Sequence, residues 1–76
     1  MLFGIHKRIG FLQQRPGTID YFVFDVLGRL RADGTAGYYR EGEQVAHIQL
    51  PALPPGAYVL RLRGESAMAK RQFLVR

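Results

Sequence analysis

Apolar and polar residues alternate along most of this chain, which is the pattern of β-strands that bury one face. The strongest strand is predicted at residues 18–26, where β-branched and aromatic residues dominate. Both of its faces are apolar, and the residues concerned are Ile19, Tyr21 and Val23 on one side and Phe22 and Phe24 on the other. We therefore expect a central strand, with the core against one face and a loop or a partner over the other.

The same alternation predicts further strands downstream. A short strand is expected at 30–32, then a Gly-rich, charged loop at 33–43, and longer strands at 45–50, 57–63 and 69–75. The residues expected to face the core in the two middle strands are Ala46, Ile48 and Leu50, followed by Tyr58, Leu60 and Leu62. These strands are long enough to build one small sheet structure.

The first seventeen residues alternate more weakly, through apolar positions at Phe3, Ile5, Ile9 and Phe11, and the pattern breaks at Pro16-Gly17. We expect an irregular segment or edge strands at 1–17, ahead of a β-sandwich domain at 18–76. Nine glycines and four prolines leave no window of helical length with a helical apolar stripe. An all-β fold of antiparallel strands is therefore predicted. If an N-terminal strand is lacking or swapped, the open edge would allow a second copy to pair as a homodimer.

A chain of 76 residues has room for one small domain, so we expect low stability and no large enzyme pocket. There is no cysteine, which excludes a disulfide framework and a thiolate metal site. No apolar run approaches the roughly 20 residues that a membrane span needs. The apolar stretch at 1–5 is too short for a signal peptide, so the isolated chain is expected to carry no export signal.

The net charge of +5 is concentrated at the two ends of the chain. Lys7, Arg8 and Arg15 meet no acidic residue within 1–17, whereas the middle of the chain contains more acids than bases. Residues 60–76 hold five basic residues against Glu65. A basic surface of this kind can bind nucleic acid, anionic lipid or an acidic protein groove, and charge alone does not choose among them.

A tight turn is predicted directly after the strongest strand, at Asp25-Val26-Leu27-Gly28. An aspartate at the first turn position can accept hydrogen bonds from the backbone N–H group two residues on. Glycine supplies the positive φ angle that a Cβ atom would resist. Taken alone, these residues predict a hairpin turn rather than a recognition site.

A second turn is predicted in Leu53-Pro54-Pro55-Gly56. Pro55 sets φ for the first central position of a type II turn, and Gly56 takes the second position with positive φ. Tyr58 follows at the start of a strand. We expect it to bury its ring and to direct its hydroxyl towards a backbone partner.

Together these features resemble the C-terminal sorting domains of proteins exported by the type IX secretion system, in the type A class. Members of that family show a strand ending in Tyr/Phe-Asp-x-x-Gly-Arg/Lys, a Leu-x-x-Gly-x-Tyr segment that leads a later strand, and a basic final strand. The corresponding residues here are Phe24, Asp25, Gly28 and Arg29, then Leu53, Gly56 and Tyr58, then Lys70, Arg71 and Arg76. The resemblance spans residues 18–76.

The resemblance implies an immunoglobulin-like β-sandwich that directs a cargo protein through the outer membrane, for release or surface attachment. Its partners would be the outer-membrane translocon and sortase components, with Lys70, Arg71 and Arg76 recognised by acidic translocon proteins. The turns that contain Asp25-Gly28-Arg29 and Pro55-Gly56-Tyr58 would shape the edge that is presented. On this interpretation the chain is the tail of a larger protein that crosses the periplasm and is secreted or held at the cell surface.

Two other functions compete with sorting. An immunoglobulin-like structural or adhesive module would bind a protein or glycan partner. A small basic β-barrel would bind nucleic acid through Phe22 and Phe24 beside arginines. Acidic loop residues and the lack of an aromatic-basic strand motif of the RNA-binding type argue against the latter, so no nucleic acid is expected as a partner.

Catalysis finds no support in the residue pattern. His6 and His47 are single histidines without the spacing of metal ligands. Asp20 and Asp25 are five residues apart on one strand, so their side chains are expected on opposite faces and not as a carboxylate pair. We assign no catalytic residue, and no cofactor or metal is expected.

Overall fold

A computed structural model describes residues 4–76 of the chain. Six strands follow one another: β1 (Ile5–Gln13), β2 (Gly17–Asp25), β3 (Leu30–Tyr39), β4 (Gly42–Leu50), β5 (Gly56–Arg63) and β6 (Met68–Val75). The described residues contain no helix long and apolar enough to cross a membrane. Of the N-terminal residues that were expected to alternate, Phe3 lies outside the described part.

The strands form two antiparallel sheets, so the predicted all-β sandwich is confirmed. β1 pairs with β4 in a two-stranded sheet, and the other strands form a four-stranded sheet in the order β3-β2-β5-β6. The sheets approach each other where β1 contacts β6 and where β4 contacts β3. The smaller sheet is therefore a second layer over the larger one.

The strand pairing can be compared with that of an immunoglobulin-like sandwich. In such folds strands B and E are neighbours in one sheet, while C, F and G are neighbours in the other, and an additional strand C′ pairs with C. Here β1 and β4 occupy the positions of B and E, and β3, β2, β5 and β6 occupy those of C′, C, F and G. Residues 5–13, for which an irregular segment or edge strands were expected, supply β1, the strand equivalent to B.

One core lies between the sheets and receives side chains from alternating strand positions. Its buried apolar residues are Ile9, Phe11, Ile19, Val23, Ala46, Ile48, Leu50, Tyr58, Leu60, Leu62 and Phe73. Ile9 and Phe11 of β1 belong to the same cluster as Val23 and Leu60. The N-terminal strand thus packs as part of the same unit as residues 18–76.

The expectation of a loop at 33–43 is wrong, because β3 continues to Tyr39 and β4 begins at Gly42. The glycines in this segment fit local features of a strand. A Cβ atom on Gly34 would come within 2.8 Å of the Tyr21 ring, and Gly37 has a φ of 119° beside a register shift opposite β2. Glycines in a strand that leave space for an aromatic ring or form a β-bulge therefore resemble loop glycines when only the sequence is considered.

Candidate functional site

The turn between β2 and β3 is organised around the Asp25 carboxylate. Its Oδ1 accepts hydrogen bonds from the N–H groups of Leu27 at 2.9 Å and of Arg29 at 3.0 Å. The Gly28 N–H donates to the Asp25 carbonyl, and Gly28 has a φ of 80°. This is a three-residue hairpin loop in which a turn is followed by a glycine bulge. Both the carboxylate acceptor and the positive φ that the sequence indicates are present.

Two guanidinium groups complete the surroundings of Asp25. The Arg29 Nε donates to Oδ2 at 2.9 Å, and an Arg31 guanidinium nitrogen lies 3.4 Å from the same oxygen. The Arg29 backbone N–H, followed by its guanidinium and the Leu27 N–H, holds the pKa of the Asp25 carboxyl below its ordinary value. The carboxylate is therefore charged and fully hydrogen-bonded across the physiological pH range.

The second turn is closed by a side chain instead of a backbone hydrogen bond. The Tyr58 hydroxyl donates to the Pro54 carbonyl at 2.5 Å, and its ring is buried. No backbone hydrogen bond joins residues 54 and 57, and Gly56 has a φ of 153°. The expectation of a type II turn is thus wrong, whereas the predicted burial and backbone contact of Tyr58 are confirmed. Immunoglobulin-like domains have a similar feature, the tyrosine corner, in which a tyrosine near the start of strand F bonds to the backbone a few residues upstream.

The structure brings the two turns and the final strand together. Asp25 lies opposite Tyr58 in the β2–β5 register, and Tyr58 lies opposite Phe73 in the β5–β6 register. The rings of Tyr58 and Phe73 stack at a centroid distance of 5.6 Å. One row across three adjacent strands therefore contains a residue from each of the three segments that carry the resemblance.

The basic residues of the last segment lie on an outer strand. β6 pairs only with β5 among the described residues, so one of its edges has no strand partner there. Lys70 and Arg71 lie within β6, Arg76 follows it, and all three are exposed. Within residues 4–76 none of them forms an ion pair. Chemically, this strand offers backbone donors and acceptors flanked by cations to an extended acidic segment.

Lys7 has a position that sequence reasoning missed. It lies between Ile5 and Ile9 on the inward-facing side of β1, and its Nζ is 4.8 Å from the centre of the Phe73 ring. A cation over an aromatic face is favourable. A charge that points inwards on a strand beside an open edge also opposes unwanted strand pairing. The alternating positions Ile5, Lys7 and Ile9 could have indicated that Lys7 lies on the inward-facing side of the strand.

The structure also places His6 and His47 together, although the sequence shows them as isolated histidines. Their rings stack at 5.5 Å on the outward face of the two-stranded sheet. Two imidazoles are a small ligand set, and residues 4–76 contain no group of three or more His, Asp or Glu side chains suited to a metal ion. The pairing depends on the β1–β4 register, in which Arg8 lies opposite His47. That register cannot be deduced from either strand alone.

Compared with family models, curated proteins and solved structures, the chain shows no significant match.

Proposed function

We propose that this domain is a non-enzymatic C-terminal sorting module of the type IX secretion class, which directs a cargo protein across the outer membrane. The observation that carries the proposal is the row formed by Asp25, Tyr58 and Phe73 across β2, β5 and β6. Three sequence segments that resemble the family thereby form one continuous part of the sheet. A shared location is what a single recognition element requires.

The last strand is the element that we assign to recognition. Phe73 fixes β6 to the core, while Lys70 and Arg71 are exposed along the strand. Arg76 extends the charge beyond its end. An acidic partner would meet these cations and the unpaired backbone groups of the edge at the same time. Recognition in this form needs binding and no chemistry.

The test is export of a fluorescent cargo that carries an ordinary signal peptide and is fused to residues 1–76. It is expressed in a bacterium with an active type IX system and in a mutant without it. Deleting residues 70–76 would remove Phe73 from the core, so the strand is tested by charge reversal at Lys70, Arg71 and Arg76. We expect export only in the active strain, and its loss in the triple glutamate variant.

The matched control reverses three exposed arginines outside β6, namely Arg8, Arg15 and Arg40. This control should retain export, because it changes the net charge equally and leaves the strand intact. Retention of the folded fusion in the periplasm of both strains would overturn the sorting proposal. The immunoglobulin-like binding module, with a protein or glycan partner, would then be the better interpretation.

A further inference from the structure

The outward face of the four-stranded sheet contains an apolar depression at the end that holds the Asp25 turn. Its volume is about 550 Å³, and its apolar walls include Val26, Ala57, Val59 and Leu74. Val26 and Leu74 are 77% and 64% exposed. The small side chain of Ala57, opposite Leu74 in the β5–β6 register, leaves room between its larger neighbours. Exposed apolar surface with a polar rim is typical of interaction sites.

A pair of cations lies one same-face position beyond Val59 and Gln72, which line this depression. Arg61 and Lys70 lie directly opposite each other on β5 and β6, and both are exposed. Like charges in this arrangement destabilise a sheet. The ion pairs found within residues 4–76 both involve Asp25, so neither cation is neutralised in that part of the chain. An anion between the two side chains would relieve their repulsion.

Aromatic contact holds one of these cations in place. The Arg61 guanidinium lies over the ring of Phe24, 5.5 Å from its centre. Such a contact limits the conformations of the arginine side chain and keeps it on the outward face. The cation is therefore preorganised next to the apolar walls, which lowers the entropic cost of binding.

The spacing of the face matches an extended peptide. Val59 and Ala57 are two and four residues from Arg61 along β5, which corresponds to about 7 and 13 Å in a strand. Side chains on one face of an extended peptide have the same spacing. A carboxylate held by Arg61 and Lys70 would thus place its next same-face neighbours over Val59 and over Ala57.

We propose that this surface, formed by Val26, Ala57, Val59, Arg61, Lys70 and Leu74, binds an extended acidic segment of a partner protein. One carboxylate of the segment lies between the two cations, and apolar side chains two and four positions away fill the depression. The surface shares Lys70 with the strand that we assign to sorting. Binding by the purified domain needs no secretion system, so either function can fail without the other.

Charge on the rest of the face favours a peptide over a membrane. Asp20 lies opposite Arg63, and Asp33 lies opposite Phe22, both towards the far end of the outward face. A planar anionic surface would meet these carboxylates together with the cations. A narrow peptide over β5 and β6 avoids both of them and meets the cations and the apolar walls. Asp25 also lines the depression, but its charge is paired with Arg29 and Arg31.

Charge also opposes a second copy as the occupant. The chain has a net charge of +5, and apposition of two identical faces would place one Arg61–Lys70 pair near another. Repulsion between unneutralised cations disfavours that arrangement. An acidic partner has the complementary charge.

The experiment measures fluorescence anisotropy of a short labelled peptide in which one glutamate and two leucines alternate with serines. We expect saturable binding to the full chain, weakened about tenfold or more by Arg61→Glu or Lys70→Glu. Ala57→Leu should weaken binding to a similar extent, because it fills the depression without changing charge. Ala57 is exposed, so this variant keeps the core unchanged.

Matched controls separate this site from general charge attraction. Arg8→Glu changes the net charge equally on the other sheet and should bind as the wild type does. Peptides with glutamine for glutamate, or with serine for both leucines, should bind about tenfold more weakly. Equal loss in Arg8→Glu, equal binding of the serine peptide, or tighter binding to phosphatidylglycerol vesicles would overturn the proposal, as would no peptide binding at all.

Discussion

The two sheets of the sandwich differ in what they contribute beyond the shared core. In the four-stranded sheet, two side chains form hydrogen bonds with the backbone of the adjacent turns. They are the Asp25 carboxylate, after β2, and the Tyr58 hydroxyl, near the start of β5. The two-stranded sheet contributes long apolar side chains such as Ile9 and Ile48, while its outward face carries the stacked His6–His47 pair. Both sheets bury one face, and both have turns held by side chains, since Gln13 donates to the Gly17 carbonyl and Gln44 to the Arg40 carbonyl beside the smaller sheet. The larger sheet differs in its outer surface, where an apolar depression lies beside two facing cations.

This difference indicates a division of roles. The larger sheet holds two turns through the Asp25 carboxylate and the Tyr58 hydroxyl, and Arg61 over the Phe24 ring. A recognition surface requires such defined positions. The smaller sheet covers it and supplies part of the core, without which the larger sheet would expose its apolar inner face. Stability should therefore depend on both sheets, whereas binding should depend on the larger one.

Core truncations give the largest expected effect and test whether the sheets unfold together. Ile48 of β4 and Leu60 of β5 are each 1% exposed. Replacing either by Ala should lower the free energy of unfolding by about 2–5 kcal/mol. Because both side chains belong to one core, urea unfolding followed by circular dichroism should show one transition in each variant. Val45→Ala, in an exposed position on β4, is the control and should change little.

A two-step transition in Ile48→Ala alone would contradict the common core. It would mean that β1 and β4 separate before the larger sheet unfolds. The division of roles would then extend to stability, and binding of the acidic peptide should survive the first step.

Removal of the Tyr58 hydroxyl should destabilise the fold less, because it affects only the turn before β5. Tyr58→Phe keeps the buried ring but leaves the Pro54 carbonyl without its donor. We expect a loss of about 1–2 kcal/mol in the free energy of unfolding. The control is Tyr38→Phe, because Tyr38 is 69% exposed. The free energy of unfolding is measured by urea titration. An equal decrease in the two variants would show that the hydrogen bond from Tyr58 to Pro54 makes no specific contribution to stability.

The sequence predicts the elements whose signals are local. Alternation identifies β2 and β5 and also the inward face of β5, and the segment from Leu53 to Tyr58 indicates a buried tyrosine with a backbone partner. The part of β3 after residue 32 was predicted as a loop because of its glycines. Gly34 is required by the neighbouring strand β2, since it leaves space for the Tyr21 ring. The sequence of β3 alone does not show that a residue on the neighbouring strand requires a glycine there.

The candidate sites depend even more on strand pairing. Arg61 and Lys70 are ordinary outward-facing residues until the β5–β6 register places them opposite each other. Likewise, Lys7 meets Phe73 because β1 crosses the larger sheet near β6. The sequence supplies the cations and the aromatic rings, whereas non-local register decides which of them meet.

The smallest expected effect is that of charge in the Asp25 turn, tested by Asp25→Asn. Asparagine retains an oxygen that can accept the Leu27 and Arg29 N–H bonds, but it loses the attraction to the Arg29 guanidinium. Because the folded state lowers the Asp25 pKa, the ionised carboxylate stabilises the fold above its unfolded pKa of about 3.9. This contribution is lost as the pH falls through the lowered, folded-state pKa.

Thermal melts of the wild type and Asp25→Asn should therefore differ at pH 7, with the wild type more stable, and should converge as the pH falls below the lowered pKa of Asp25. The difference should be small, because salt and solvent screen an exposed ion pair. Asp33→Asn, an exposed aspartate on the same sheet, is the matched control and should follow the wild type throughout. A difference in melting temperature between the wild type and Asp25→Asn that stays unchanged at acidic pH would contradict this prediction. It would mean that hydrogen-bond geometry, and not charge, stabilises the turn between β2 and β3.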